Sequence, residues 1–481
     1  MADSTHAIRD TLDQAVTRRH SNRVLHGHPS PSLWLERDVA VDAIAESRHG
    51  HPGRARKRLA VYVGSPFCVP TQPDRCGFCL FPSEVYRSPD QLTTYLGYLA
   101  KEMDLLRGRF VDDEVAAIYF GGGTTNLYRP RQYAELMDIV RKAFPRTTPD
   151  AEVTVEGVAQ FFTQKKLEAM RDAGVTRVSM GVQQLDPDLL AFSGRKQNTA
   201  HVLGMLEACQ SLNIASSVDL IFGWPGQTPQ NMLRDLETIT SLGVPHITHY
   251  ELNLAGRTDF SRRQRHQLPP VGQVLEMYRL ASEYLIASGY RQATPYDWER
   301  VDAGLAGTYR YETFGRSPFL RSSEGQLGGY DVWGCGFAAI SFCLGWPEEL
   351  GWAFCNPPRV DDYYRALDEG RVPTERGYRY TDSDLRLYVL FQMLQGLRVD
   401  RGLYTELFGR DPVDEHEPIW EAAAERGWLA IDADALTLVG DGGLYAPLIQ
   451  ETLAATRLEE IRASRRTARQ HADLMLGTEP S

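Results

Sequence analysis

The chain of 481 residues has few cysteines, seven in all, and a shortage of positive charge: 52 Lys and Arg against 63 Asp and Glu, net −11. A surface that holds nucleic acid by bulk electrostatics is excluded by that balance. No run of about 18 apolar residues occurs, so no spanning helix is expected and no membrane partner. The N-terminus, MADSTHAIRDTLDQAVTRRHSN, lacks the apolar core of a signal peptide. The cysteines are too unevenly placed for a disulfide framework, and reduced thiols point to the cytoplasm. There is no fixed-period repeat. What remains is ordinary globular composition, 42% hydrophobic and 24% charged, long enough for a large catalytic domain with one or two smaller units.

What is present is concentrated. Cys68, Cys76 and Cys79 sit together in LAVYVGSPFCVPTQPDRCGFCLFPSE, and the next cysteine is Cys209. Three thiolates on an iron–sulfur cube leave one iron open, and an open position is what a catalytic metal centre needs. A zinc site would need a fourth ligand, and no histidine lies between Cys68 and Cys79. Cys209, in MLEACQSL, reads as a buried small hydrophobe. Cys335, Cys343 and Cys355 lack the spacing of a second cluster, and Cys335, in WGCGF, is the one placed to face a substrate pocket.

Between residues 57 and 256 apolar runs alternate with amphipathic helical stretches: LAVYVG, VAAIYFGGG, EVTVEG, VTRVSMG, SSVDLIFG and ITHYELNL. Strand and helix in this alternation predict parallel β/α units. Six units, nearly all ending in a polar or glycine-rich feature, predict an α/β fold: a partial, TIM-like (β/α)6 barrel with its chemistry at the strands' C-terminal ends. Residues 1–56 read as an N-terminal arm, with paired histidines in HGHPS and SRHGHPG as solvated arm residues. Residues 257–375 read as a barrel-closing extension, and 376–481 as a C-terminal small helical or winged-helix-like domain. An aromatic run, Tyr290, Tyr296, Trp298, Tyr309, Tyr311, Phe314, Tyr330 and Trp333, suits a flat apolar pocket or lid packing equally.

The motif order resembles that of radical S-adenosylmethionine (SAM) enzymes, and within them the oxygen-independent coproporphyrinogen III oxidase group. The resemblance rests on Tyr62 with Pro66-Phe67-Cys68, on Cys76-Gly77-Phe78-Cys79, on Gly121-Gly122-Gly123-Thr124 and on Glu156. It continues through SMGVQ with Gln183, Gly194-Arg195, VDLIFGWPGQT and VWGCGFAAISF. It implies a [4Fe–4S] cluster on Cys68, Cys76 and Cys79, and SAM bound by Phe78, Gly121, Gly122, Gly123, Thr124, Glu156, Gln183, Arg195, Asp219 and Phe222. Tyr62 and Cys335 are then the candidates for catalysis. Glu156 suits an ammonium or ribose hydroxyls. Arg195 suits a carboxylate through its planar fork. Asp219, a charge in an apolar strand, needs a partner.

Two departures shape the expected reaction. Seven residues, VPTQPDR, separate Cys68 from Cys76 where the family has three, a lengthening that costs little closure entropy. Gly64 stands where the oxidase pattern has a histidine. The second departure favours the class C radical SAM methyltransferases and cyclopropanases. These imply two SAM molecules and transfer of a methylene or methyl group to an sp² carbon of an aromatic or unsaturated natural-product intermediate. The reducing partner is then a carrier such as flavodoxin or ferredoxin. The alternatives are oxidative decarboxylation of the coproporphyrinogen oxidase kind and a non-catalytic haem carrier or chaperone.

Overall fold

The computed structural model describes residues 2–17, 27–48, 54–254 and 258–475. Six parallel strands form its centre in chain order: β1 Arg58–Ser65, β2 Val115–Gly122, β3 Thr147–Val158, β4 Arg177–Gln183, β5 Ala215–Phe222 and β6 His246–Glu251. Their near-continuous burial follows from having helices on one face and a filled interior on the other. The connecting helices start where the sequence signals a start. Pro89–Leu106 follows Ser88 and Pro229–Ser241 follows Thr228, each with a proline in the first turn and a capping box.

Register decides which side chains share the interior. Tyr62 lies opposite Tyr119, Glu156 opposite Ser179, Gly181 opposite Asp219, and Asp219 opposite Thr248. The period of two then sends Val61, Val63, Val155, Val218 and Leu220 to the helix layer, where all are buried in the main core. The expected partial (β/α)6 barrel is the one observed.

The segment after β6 does more than close one side. Asp297–Arg300 pairs antiparallel with β6, and Tyr290–Gln292 pairs with it in turn. Tyr330–Gly336 pairs parallel with β1 and is followed outward by Ile340–Cys343, Trp352–Cys355 and Arg376–Arg379, giving a sheet of 12 strands. Both open edges of the half-barrel are thereby covered, as exposed edges otherwise invite pairing with other chains.

Beyond it, Arg398–Asp400, Ala435–Leu438 and Leu429–Ile431 make a small antiparallel sheet. It packs with helices Asp382–Gln395, Arg401–Phe408, Pro412–Glu425 and Gly442–Met475, a winged-helix-like arrangement. Asp384 is the tie between this unit and the arm. It is fully buried, paired with Arg457 at 2.8 Å and with His28 at 3.2 Å. His28 is therefore not the solvated arm residue expected; His26, His49 and His51 lie outside the described residues. No helix among the described residues is long and apolar enough to cross a membrane.

Candidate active site

The three clustered cysteines leave β1 at its C-terminal end. Cys68 ends the short strand Phe67–Cys68, and its Sγ lies 3.2 Å from Thr124 Oγ1. The lengthened loop turns back by left-handed backbone at Arg75 (φ 50°) and Cys76 (φ 55°). Thr71 Oγ1 holds the turn by accepting from the Cys76 N–H at 2.8 Å, and the Cys79 N–H donates to Arg75 O at 3.1 Å. Arg195 crosses from the loop after β4. Its Nη1 donates to Gly181 O at 2.7 Å and its Nε reaches Cys76 Sγ at 3.4 Å, while its guanidinium lies over the Phe78 ring.

The thiols fit an iron–sulfur cube. Each is free of a disulfide, and Cys68 and Cys79 both feel the charge of Cys76. Burial raises both, Cys79 to about 11, so deprotonation needs the positive charge of bound iron. No three His, Cys, Asp or Glu side chains among the described residues close around a single ion.

Behind the cysteines, residues 121–124 press directly on the loop's backbone. The Gly123 N–H donates to Ser65 O and the Thr124 N–H to Phe67 O, both at 2.8 Å. A Cβ on Gly123 would collide with the Phe67 carbonyl, and Gly122 has φ 108°. These positions are closed to side chains, and the bend keeps backbone groups available.

Two carboxylates face the interior just below. Glu156 Oε2 accepts from Tyr119 Oη at 3.2 Å, and burial raises its carboxyl to about 7. Asp219, 3.4 Å from Ser179 Oγ, is raised to about 8 by burial first and then by the charge of Glu156. Neither forms an ion pair among the described residues, and such a pair is stabilised by an incoming cation or by hydroxyl donors. SAM brings both. Gln183, buried with φ 70°, closes the edge beside Gly181.

The interior wall is tyrosine. Tyr62 stacks on Tyr119 with centroids 5.9 Å apart, and Tyr119 stacks on Tyr311 at 4.8 Å. Tyr309 and Tyr296 continue the wall. Burial raises all these phenols, so they remain protonated. The aromatic run thus divides: Tyr296, Tyr309 and Tyr311 line the interior, whereas Trp333 packs outward on Phe110 and Phe354.

Two expected site residues are elsewhere. Cys335 pairs in register with Val63, so it shares Val63's side of the sheet and is buried in the helix-side core. Phe222 has the outward parity of Val218 and Leu220. Its ring meets His249 at 4.7 Å and Tyr278 at 6.5 Å, and Tyr278 belongs to helix Val271–Ala287. Neither reaches the chamber.

The geometry missed by sequence reasoning is a polar core behind β1. Glu102 accepts from the Gly336 N–H at 2.8 Å, Asn356 Nδ2 at 3.0 Å and Tyr363 Oη at 2.7 Å. Tyr95 Oη donates to Gly64 O and accepts from the Phe337 N–H. A Cβ on Gly64 would strike Phe337 O. The histidine of the oxidase pattern has no room here, because the chain from Gly336 occupies its place.

A family model for the radical SAM superfamily matches residues 62–239, the stretch that carries the three clustered cysteines, the glycine bend, Glu156, Gln183, Arg195 and Asp219. Residues 62–239 form a radical SAM domain. Radical SAM proteins work with a [4Fe–4S] cluster and SAM, and the thiols, the carboxylates and the glycine bend fit both. The oxygen-independent coproporphyrinogen III oxidase of Pseudomonas aeruginosa is 27% identical over 416 residues, covering 84% of this chain and 86% of its own. The haem chaperone HemW of Mycobacterium tuberculosis is 28% identical over 408 residues, 82% of this chain and 94% of its own. The Escherichia coli coproporphyrinogen III oxidase structure superposes with a TM-score of 0.75 at 23% identity, over 92% of this chain and 98% of that one. Within the radical SAM superfamily the chain is thus similar, over most of its length, to this oxidase and haem-chaperone group. The expectation of methyl or methylene transfer to a natural-product intermediate is overturned: relatives aligned over most of their own length are named oxidases and haem chaperones. Gly64 had suggested transfer, but that departure records only a repacked β1 edge.

Proposed function

We propose that this protein is a radical SAM oxidoreductase of the coproporphyrinogen oxidase kind, acting on a carboxylated pyrrolic substrate by hydrogen-atom abstraction and decarboxylation. Cys68, Cys76 and Cys79 are proposed to hold the cluster. When bound, the cluster supplies an iron that chelates SAM and the electron that cleaves its sulfonium.

The chain's own residues do the rest. Gly121–Thr124 present backbone to the methionyl end. Arg195, anchored on Gly181 O, directs its fork to the SAM carboxylate. Glu156 and Asp219 take the cationic and hydroxyl groups. Tyr62, Tyr119, Tyr309 and Tyr311 exclude water around the reacting carbon and hold their protons. A chamber walled by stacked tyrosine rings protects a carbon radical from quenching.

The observation that carries the reading is the pair Glu156 and Asp219, half-buried at the strand ends within this tyrosine wall and in no ion pair among the described residues. A haem carrier needs an accessible axial ligand. The two histidines of β6 do not offer one: His246 is fully buried against Asp297 at 3.3 Å, and His249 lies on the helix side against Phe222, where burial pushes it down to about 3.

The test is anaerobic turnover. The reconstituted protein receives SAM, a strong reductant and coproporphyrinogen III, and 5′-deoxyadenosine, carbon dioxide and S-adenosylhomocysteine are quantified. Deoxyadenosine and carbon dioxide rising together without homocysteine support the oxidase reading. Stoichiometric haem binding with no carbon dioxide replaces it with the chaperone reading.

A further inference from the structure

β2 stays paired with β1 as far as Gly122 but leaves β3 earlier, after Phe120 opposite Val155, while β3 runs on beside β4 to Val158. A split therefore opens between the glycine bend and the end of β3, where backbone groups lose their ladder partners. Glu156 lies in this split. The Gly122 N–H donates to its carboxylate, and a Cβ on Gly121 would stand 2.8 Å from its Oε2. Asn126 spans the opening. It sits in the short helical turn Thr125–Leu127 and is fully buried. Its Nδ2 donates to Val158 O at 2.9 Å, and its Oδ1 accepts from the Val158 N–H at 3.2 Å. One side-chain amide thus supplies Val158 with what a continued ladder would have given it. Gly157 makes the room: a Cβ there would fall 2.3 Å from Asn126 Cγ. Asn126 is held in turn from the helix Gln164–Asp172. Lys166 Nζ donates to the Asn126 carbonyl, and to Phe161 O at 3.1 Å. Lys166 forms no ion pair among the described residues, and burial lowers it to about 8. Its cation is committed to two carbonyls at a cost in desolvation.

We propose that Asn126 and Lys166 are positioning residues for SAM: they clasp the glycine bend to the end of β3 and so fix Glu156 relative to residues 121–124. Both sides of the split carry proposed SAM contacts, the bend on β2 and Glu156 on β3, and the Asn126 amide joins one side to the other. A binding group displaced slightly from its place loses much of what it contributes, so the supports of such groups matter as much as the groups themselves. Neither residue touches SAM in this reading. Lys166 acts through the Asn126 carbonyl, and Asn126 acts through Val158, just beyond Glu156. The inference rests on the reading of Glu156 as a SAM contact and is independent of the substrate.

The test uses the reconstituted holoprotein. SAM affinity is measured calorimetrically, and hydrogen exchange of residues 121–126 and 156–158 is followed by mass spectrometry before SAM is added. The variants are Lys166→Met and Gly157→Ala, each alone and combined with Glu156→Gln. Gly157→Ala pushes on the Asn126 amide without replacing a proposed SAM contact. Each variant alone is expected to weaken SAM binding roughly tenfold and to speed exchange in the bend, with cluster absorbance unchanged. Added to Glu156→Gln, each should cost less than about a further twofold, because the clasp acts through that carboxylate. Lys166→Arg, which keeps the cation, should hold wild-type affinity. Wild-type affinity in either Lys166→Met or Gly157→Ala overturns the proposal. So does an undiminished loss beside Glu156→Gln, or loss of cluster absorbance in both variants, since either makes the clasp a support of the fold alone. Unchanged SAM affinity in Glu156→Gln by itself instead overturns the reading of Glu156 on which the proposal stands.

Discussion

The two ends of the barrel treat buried charge in opposite ways. At the bottom, acids are matched. Glu152 meets Arg177 at 3.0 Å with both side chains almost fully buried, and Arg177 goes on to bond the carbonyls of Ala306 and Thr308. Asp297 would be raised by burial, yet the hydrogen bond and charge of His246 hold it below its ordinary value. Arg48 joins Asp113 and Asp331 at the entry to β1. At the top, burial outweighs the hydrogen bonds that Glu156 and Asp219 accept, the charges of Glu156 and Asp297 raise Asp219 further, and both acids rise toward neutrality. The bottom is finished by its own ion pairs; the top is where the proposed SAM site lies.

The sharpest break of that contrast is at the thiols. Cys76→Ser should leave a folded protein that produces no 5′-deoxyadenosine and lacks visible cluster absorbance; retention of both would remove Cys76 from the ligand set. Next in size is the bottom pair. Arg177→Met strands a buried carboxylate and two carbonyls, so chemical denaturation should show a loss of about 3–5 kcal/mol. A change below ~1 kcal/mol would mean that the bottom is not the structural end.

The top should behave in reverse. Glu156→Gln removes a destabilising acid and a ligand at once. SAM affinity should fall by about 1–3 kcal/mol, the cost of one lost charged hydrogen bond, while ligand-free stability holds or rises. The sign follows from linkage. A carboxyl raised in the folded state binds more protons folded than unfolded, so its contribution to stability falls as pH climbs from about 4 toward 8. Glu156→Gln should therefore gain on the wild type at pH 8 and not at pH 5, read as the difference in melting temperature. Binding a cation favours the ionised acids. SAM affinity should then rise between pH 6 and 8 with proton release, measurable by calorimetry in buffers of different ionisation enthalpy, and the slope should shrink in the variant.

The same contrast explains what was readable in the sequence. The six strands, their order and the strand-end residues were legible because parallel β/α units announce themselves locally, by period and by the residues at each strand's end. Asp219 was legible as a charge in an apolar run. Arg177, in VTRVSMG, gives the identical signal, and its partner Glu152 stands at the start of EVTVEG. What hid that pair was the absence of a motif to attach it to. Glu102 was not legible at all. On the helix Pro89–Leu106 it looks like one more surface acid, and its partners Gly336, Asn356 and Tyr363 come from chain more than 200 residues away. The edge strands between 290 and 379 were hidden for the same reason: their pairing partners lie across the sheet and their own patterns are short.

Cys335 and Phe222 make the smallest and most discriminating test. Both lie at the level of the active site and differ from its residues only in parity. Tyr62 and Asp219 point inward, while Cys335, in register with Val63, and Phe222, beside Tyr278, point to the helices. If parity governs function here, Cys335→Ala and Phe222→Leu should alter packing alone. Phe222→Leu should cost less than about 1.5 kcal/mol, and both variants should keep SAM affinity and deoxyadenosine formation within roughly twofold of wild type, below the ~1 kcal/mol that a lost contact to a ligand removes. A large loss of turnover in Cys335→Ala with cluster and SAM affinity intact would show that a thiol on the helix side takes part in the chemistry, and the division between a ligand-completed interior and a self-sufficient exterior would fail at the glycine-rich edge where β1 meets Gly334 and Gly336.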